Sequence, residues 1–378
     1  MMITKSELYI HIPFCVRKCL YCDFLSFSAD EKTKEKYIDA LCKELMFIGK
    51  ERCKTSLSSV FFGGGTPSVL PVGLIERVME CVKENFTLDR DAEVTIECNP
   101  GTVNEDKMKA YFACGINRIS FGLQSVHDEE LKKLGRIHSY EDFLGSYENA
   151  VKAGFTNINV DLMSDIPGQT VDSWTGTLKT ICELKPAPSH ISAYSLIVEE
   201  GTPFADMAED GRLDIPDEDT DREMYHMTSR LLSDYGYGRY EISNYAKEGF
   251  ECRHNLGYWT GVTYFGAGLV AASYYDGCRF TNTSDLPVYM DDPIDSWKLD
   301  EKLTNADKMS EFMLLGLRLT KGINTEEFRD RFSRNLYDVY GRETERFKSE
   351  GLLVEENGFI HLTEQGLDLA NHVMQAFI

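Results

Sequence analysis

Three cysteines, Cys15, Cys19 and Cys22, fall within eight residues, directly after the β-forming run at 8–12. This C-x3-C-x2-C spacing constrains the chain more than any other feature. Thiolates are the preferred ligands of iron–sulfur clusters. A [4Fe–4S] cube offers four irons and this loop three sulfurs. One iron is then left open to a ligand, as an open position marks a catalytic metal site. A zinc knuckle is the alternative. It would need a fourth ligand, and no second C-x2-C or Cys/His pair lies nearby.

The residue pattern around the loop predicts alternating strands and helices. β-rich runs at 8–12, 59–62, 93–97, 117–122, 156–161 and 190–195 are separated by helical spacing at 33–48, 74–82, 107–114, 140–153 and 171–184. Such alternation predicts an α/β fold, a parallel sheet with helices outside, either open and doubly wound or curved into a partial barrel. In both, ligands bind beyond the carboxyl ends of the strands. There the chain places the cysteine loop, Gly63–Gly65, Glu97, Gln124 and Asp161. After the sixth strand, 205–220 reads as a polar surface excursion and 221–235 as a helix. The segment 240–282 is dense in Tyr, Gly and Asn. Helical spacing returns from 309, at 325–332 and at 336–348. A hairpin around Asn357-Gly358 and a last helix from Glu364 follow. This predicts a small helical, winged-helix-like C-terminal domain. Glu355, Glu356 and Glu364 near its tip favour protein contact or packing over DNA.

The formal net charge is −22, which repels nucleic acid and anionic membranes. No apolar run approaches the ~20 residues of a membrane span. The opening residues do not form an export signal, so a cytoplasmic, reducing location is expected. The other eight cysteines are scattered singly and read as core residues, with the role of Cys252 left open.

Gly63-Gly-Gly-Thr-Pro-Ser68 follows the second strand; it is neither a P-loop nor a dinucleotide fingerprint. Its N–H groups suit a carboxylate or phosphate. Together with the cysteine loop, in which Tyr21 precedes the last cysteine, it resembles the radical S-adenosylmethionine (SAM) superfamily. The resemblance implies a partial (β/α)6 barrel in which SAM chelates the open iron. A reduced cluster would pass an electron to the sulfonium, giving a 5′-deoxyadenosyl radical. Tyr9-Ile-His-Ile-Pro-Phe-Cys15, Glu97-Cys-Asn-Pro100, Ser120-Phe-Gly-Leu-Gln-Ser125, Gly135-Arg136-Ile-His138 and Asp161-Leu-Met-Ser-Asp-Ile-Pro-Gly-Gln169 are similar to the oxygen-independent coproporphyrinogen oxidase family. By that resemblance Tyr9, Gly64, Gly65, Thr66, Glu97, Gln124, Arg136 and Asp161 match SAM-contacting positions. Gly65 N–H and Glu97 suit an amino-acid zwitterion; Asp161 suits ribose hydroxyls or an amine.

Two features depart from the oxidases. Phe24 stands where some of them have a fourth cysteine, and only fourteen residues precede Cys15, where they carry a longer extension. Arg253-His254-Asn255-Leu-Gly-Tyr258-Trp259 instead resembles the H-N-x-x-Y-W motif of the HemW branch of heme chaperones. His254 could ligate heme iron, with Tyr258 and Trp259 as flat faces; the bland alternative is a capped histidine beside core aromatics. His11 is either a hydrogen-bond donor near a cluster sulfur or a packed strand-end residue. The expected division is a radical SAM core (1–240), a heme-associated segment (241–300) and a C-terminal domain (301–378). The expected function is a heme chaperone with a [4Fe–4S] cluster, SAM and heme, served by a reductant protein and an unidentified acceptor, with peripheral contact to a membrane acceptor possible. No residue is assigned a catalytic role, although SAM cleavage is expected. The rivals are coproporphyrinogen III oxidative decarboxylation and a degenerate member whose cluster is only structural.

Overall fold

The computed structural model describes residues 5–378. The export-signal reading rests partly on residues 1–4, which lie outside the described residues. The first half alternates as the pattern predicts. Its elements are β1 (Ser6–Ile12), α1 (Glu31–Phe47), β2 (Leu57–Gly64), α2 (Val72–Asn85), β3 (Leu88–Cys98), α3 (Glu105–Ala113), β4 (Arg118–Gln124), α4 (Asp128–Lys133), α5 (Tyr140–Ala153), β5 (Asn157–Ser164), α6 (Val171–Cys182) and β6 (His190–Ser195). Helix ends follow local chemistry. Ser139 and Asp142 form a capping box on α5, and Gly154 ends it in the left-handed conformation. Thr170 and Ser173 do the same at the start of α6.

Strands β1 to β6 pair in parallel, each with the next. The two-residue period of a strand sorts side chains to opposite faces. On β1, Leu8, Ile10 and Ile12 join the main hydrophobic core with Ile38 and Leu41 of α1. Glu7, Tyr9 and His11 face the other way, into a polar interior. This is the partial (β/α)6 arrangement that the resemblance implied, one of the two the pattern allowed.

The chain then adds α7 (Pro203–Glu209), α8 (Glu218–Asp234), β7 (Gly238–Arg239), β8 (Asn244–Ala246), α9 (Arg253–Thr260), β9 (Thr263–Ala267), β10 (Ala272–Tyr275), β11 (Cys278–Asn282), α10 (Leu286–Asp291) and β12 (Trp297–Lys302). These extend the same sheet at both edges. β8 runs antiparallel to β6, while β9 runs parallel to β1 and carries β10 to β12 outward. Buried Glu44 of α1 ties that edge down. It accepts hydrogen bonds from Gly268 N (2.8 Å), Asn282 Nδ2 (2.7 Å), Tyr289 Oη (2.6 Å) and Trp297 Nε1. Polar composition had suggested only a surface excursion at 205–220. In the structure α7, which begins two residues earlier, buries Phe204 in a small apolar cluster with Leu134, Met163, Ile166 and Leu196, and Met207 and Leu213 of the excursion itself pack partly against it. Thr202 caps that helix, and one well-placed aromatic outweighs the surrounding charge.

The C-terminal elements are α11 (Asn305–Gly316), β13 (Ile323–Asn324), α12 (Thr325–Phe332), α13 (Leu336–Ser349), β14 (Leu353–Glu356), β15 (Phe359–Leu362), α14 (Glu364–Asp368) and α15 (Ala370–Gln375). They enclose a separate apolar cluster, including Met313, Phe328, Phe347 and Phe377. Asn357 and Gly358 turn the hairpin with φ of 52° and 79°, as the Asn-Gly pair requires. Among the described residues no helix is long and apolar enough to cross a membrane.

Candidate cluster and cofactor site

The cysteine loop crosses the carboxyl end of the barrel and is pinned from three sides. Leu20 N donates to Leu134 O and Phe204 N to Leu20 O, at 3.0 and 3.1 Å, and Cys15 N donates to Phe27 O at 3.0 Å. Gly135 is required here: a Cβ on it would come within 2.9 Å of Leu20. The three thiols are free and partly exposed, and all line one cavity of about 360 Å³. Among the described residues no three Cys, His, Asp or Glu side chains converge closely enough to hold a single metal ion. Thiols spread around a shared opening suit a cluster, whose irons sit at separate corners, better than one zinc.

The glycine turn forms the adjacent wall. Gly64 has a φ of +109°, and a Cβ there would strike the His11 ring at 2.5 Å; on Gly65 it would meet Phe14 O at 2.8 Å. Thr66 is buried, with its hydroxyl 3.4 Å from Cys15 Sγ, and it accepts from Asn99 Nδ2 at 3.0 Å. The same Asn99 accepts from Arg136 Nη1 at 3.0 Å, and Arg136 Nη2 donates to Tyr21 Oη at 3.0 Å. Arg136 Nε is buried without a partner. Gln124 sits at a β4 irregularity with φ of +76°, an unusual conformation for this residue, and accepts from Tyr194 Oη at 2.9 Å.

The electrostatics of the cavity call for a cation. Glu97 is pushed up to about 8, first by burial and then by the charge of Asp161; only Gly64 N–H and Arg118 oppose this. Burial also raises Asp161, although Asn159 Nδ2 (2.7 Å) and Ser120 Oγ (3.1 Å) donate to it. Two neighbouring half-buried carboxylates offset by a single guanidinium, that of Arg118, are costly. A ligand carrying an ammonium and a sulfonium group would relieve that cost, while its carboxylate would suit Arg136 and the glycine-turn N–H groups. The donor set therefore fits SAM beside a three-cysteine cluster.

Below the cavity the barrel interior stays polar. Asn159 Oδ1 meets His190 Nδ1 at 2.6 Å, and His190 Nε2 meets Tyr240 Oη at 2.8 Å. Helix α9 plugs the base. Glu93 accepts from the Cys252 thiol (3.4 Å), Arg253 N (3.2 Å) and His254 N (3.3 Å). His254 is 2% exposed, stacks on Phe61, and has both ring nitrogens engaged, Nδ1 with Ser59 Oγ at 2.8 Å and Nε2 with Tyr258 Oη at 3.1 Å. Burial lowers it to about 3, so it is neutral. Gly257 lets α9 dock; a Cβ on it would lie 2.0 Å from Glu7 Oε1.

The structure thus gathers Cys15, Cys19, Cys22, Tyr21, Gly64, Gly65, Thr66, Glu97, Gln124, Arg136 and Asp161 around one cavity. Tyr9 and His254 are not on its wall. Tyr9 stacks against both Phe61 and His254 inside the barrel, and its hydroxyl lies 3.1 Å from His11 Nδ1. His11 packs beneath Gly64, with Nε2 3.4 Å from Leu25 O rather than a sulfur. Cys252 is fully buried and bonded to Glu93. Sequence reasoning missed Asn99, which bridges Thr66 and Arg136, and Tyr194, which orients Gln124. Both lie at strand ends, the signal that could have found them.

Comparison with known proteins agrees with this geometry. The radical SAM superfamily matches residues 9–181, and the HemN C-terminal domain matches residues 303–369. The heme chaperone HemW of Lactococcus lactis is 34% identical over all of this chain and 98% of its own length. HemW of Bacillus subtilis is 34% identical over 98% of each. Among solved structures, coproporphyrinogen III oxidase (HemN) from Escherichia coli superimposes with a TM-score of 0.86 at 23% identity, over 99% of this chain and 90% of that one, a likeness of fold.

Proposed function

The chain belongs to the HemW family of radical SAM proteins, and from that premise we propose that it is a heme chaperone, holding heme and passing it to an acceptor protein. The observation that carries this reading is the match to heme chaperones along the full chain, C-terminal domain included. Cys15, Cys19 and Cys22 would hold a [4Fe–4S] cluster, with SAM bound beside it in the same cavity. When bound and reduced, the cluster supplies an electron to the SAM sulfonium. The protein's own part is positional: Glu97 and Asp161 take up positive charge, Arg136 and the glycine turn take up the carboxylate, and Tyr21 and Gln124 fix the walls. A reductant protein feeds the cluster. The chaperone works in the cytoplasm, and a membrane-bound acceptor would be met by peripheral contact.

The proposal retains the division into a core (1–240), a heme-associated segment (241–300) and a C-terminal domain (301–378), supported by the separate apolar cluster of the last part. For His254 to ligate iron, α9 must leave the barrel base and break its contacts with Ser59 and Glu93. In the docked conformation it is a structural residue. The test is a heme titration of cluster-reconstituted protein with and without SAM. Stoichiometric uptake is expected. Conversion of coproporphyrinogen to protoporphyrinogen with SAM and a reductant would overturn the assignment in favour of an oxidase.

A further inference from the structure

Of the residues in the H-N-x-x-Y-W segment, Trp259 reaches an open cleft. His254 and Trp259 are five positions apart, roughly 140° around the helix. One therefore faces the barrel base while the other faces outward. The cleft holds about 170 Å³ between the end of α9, β10, and α11, α12 and β15 of the C-terminal domain. Its walls are flat and apolar: Trp259, Tyr274, Phe312, Leu315 and Phe359. Arg331 fastens the two parts together by donating to Thr260 O and Gly261 O, both at 3.2 Å.

The charge of this cleft runs against that of the chain. Lys308, Lys321 and Arg331 line it, and among the described residues none forms an ion pair with a carboxylate. Of the two carboxylates present, Glu311 is already paired with Arg279, leaving Glu327. Lys321 rests over the Phe359 ring at 4.4 Å and Arg331 over Phe312 at 5.8 Å, and in a chain of net charge −22 such cations without a carboxylate partner, set among aromatic walls, select a ligand both flat and anionic. The Trp259 indole N–H is also buried without a partner beside the opening, and an orphaned buried donor calls for an acceptor. Arg318, 4.4 Å from its ring centre, holds that indole in place by cation–π contact.

We propose that this cleft seats one edge of heme, with the macrocycle against Trp259 and Phe312 and the propionates on Lys308 and Lys321. The assignment rests on the chaperone reading and adds to it the place where cargo sits. The cleft is smaller than the ~300 Å³ at which enclosing ligand pockets begin. It therefore grips part of the macrocycle and leaves the rest outside, as suits cargo that must be handed on. The iron need not be ligated for this seat to hold, so metal-free protoporphyrin IX should occupy it too.

The test uses the full chain with its cluster reconstituted. Heme is titrated by its Soret absorbance, and protoporphyrin IX by fluorescence, into wild type, Leu315→Trp and the double variant Lys308→Glu/Lys321→Glu. Leu315→Trp fills the cleft and the double variant reverses its charge, so each should weaken both porphyrins by roughly tenfold or more. Iron content and SAM affinity, read in parallel, should not change, which shows that both variants fold. Porphyrin affinity unchanged in the two variants, with wild type binding heme, overturns the seat alone. Wild type that takes up no heme overturns the chaperone reading, and the seat with it.

Discussion

The two ends of the barrel interior use the same residue types for opposite purposes. At the carboxyl end, Glu97 and Asp161 face free volume, Arg136 keeps an unpartnered Nε, and three thiols stand open. At the base, Glu93, His190, His254 and Cys252 are more deeply buried and have protein partners: Glu93 accepts from Cys252 and His254, His254 meets Ser59, and His190 meets Asn159. A buried polar group costs free energy unless it is satisfied. The base is satisfied by the protein itself except at Glu7 Oε2 and Arg118 Nε, and its bonded groups do not line the cavity, so it is structure. The upper end is left for a ligand to satisfy and so is a site. Residue type alone does not distinguish them; the state of their partners does.

The sharpest way to break this contrast is at the thiols. Replacing Cys15, Cys19 or Cys22 with alanine should abolish stoichiometric iron and iron-dependent SAM binding while leaving thermal unfolding nearly unchanged. A large loss of stability would mean that the loop is structural after all. At the base the expectation reverses. Arg118→Leu removes a fully buried guanidinium whose charge acts on Glu93 and Asp161, and leaving buried carboxylates without their cation costs about 3–5 kcal/mol. Denaturant unfolding should show it, and full stability would remove the base from the structural category.

His254→Ala is a milder test of the same kind, with an expected cost of about 2–4 kcal/mol from lost packing and hydrogen bonds. It also carries a pH signature. The folded value of about 3 lies below the ordinary 6.5, so the stability His254 contributes is complete above pH 6.5 and lost as pH falls toward 3. The variant should therefore lose less stability on acidification than the wild type does. Glu97→Gln probes the opposite end and the opposite sign. A carboxyl raised to about 8 from 4.5 destabilises the SAM-free protein progressively as pH rises through that window. The variant should melt higher than wild type at pH 9 and bind SAM about tenfold more weakly. Equal SAM affinity would show that Glu97 does not receive the ligand's positive charge.

Much of this was legible in the residues. The strand–helix alternation, the cysteine spacing, the glycine turn and the strand-end polar set are local patterns, each with its own physical signature. Asn99 and Tyr194 were not singled out because an Asn or Tyr at a strand end is usually a cap or a packed ring. His254 was legible as a histidine able to bind iron, but not as one whose two nitrogens are already taken. The small helix around Phe204 and the addition of β9 beside β1 were equally hidden, since both depend on pairing between distant segments.

By itself, then, the sequence determined which chemistry the chain can hold: three thiolates, two carboxylates and a glycine-lined turn on successive strands of one parallel sheet. Only the tertiary structure decided which of its polar residues remain available. Strand period and the docking of α9 turn Glu97 toward open volume and His254 toward Ser59 and Tyr258, and a side chain with all its partners inside the fold has none left for a ligand.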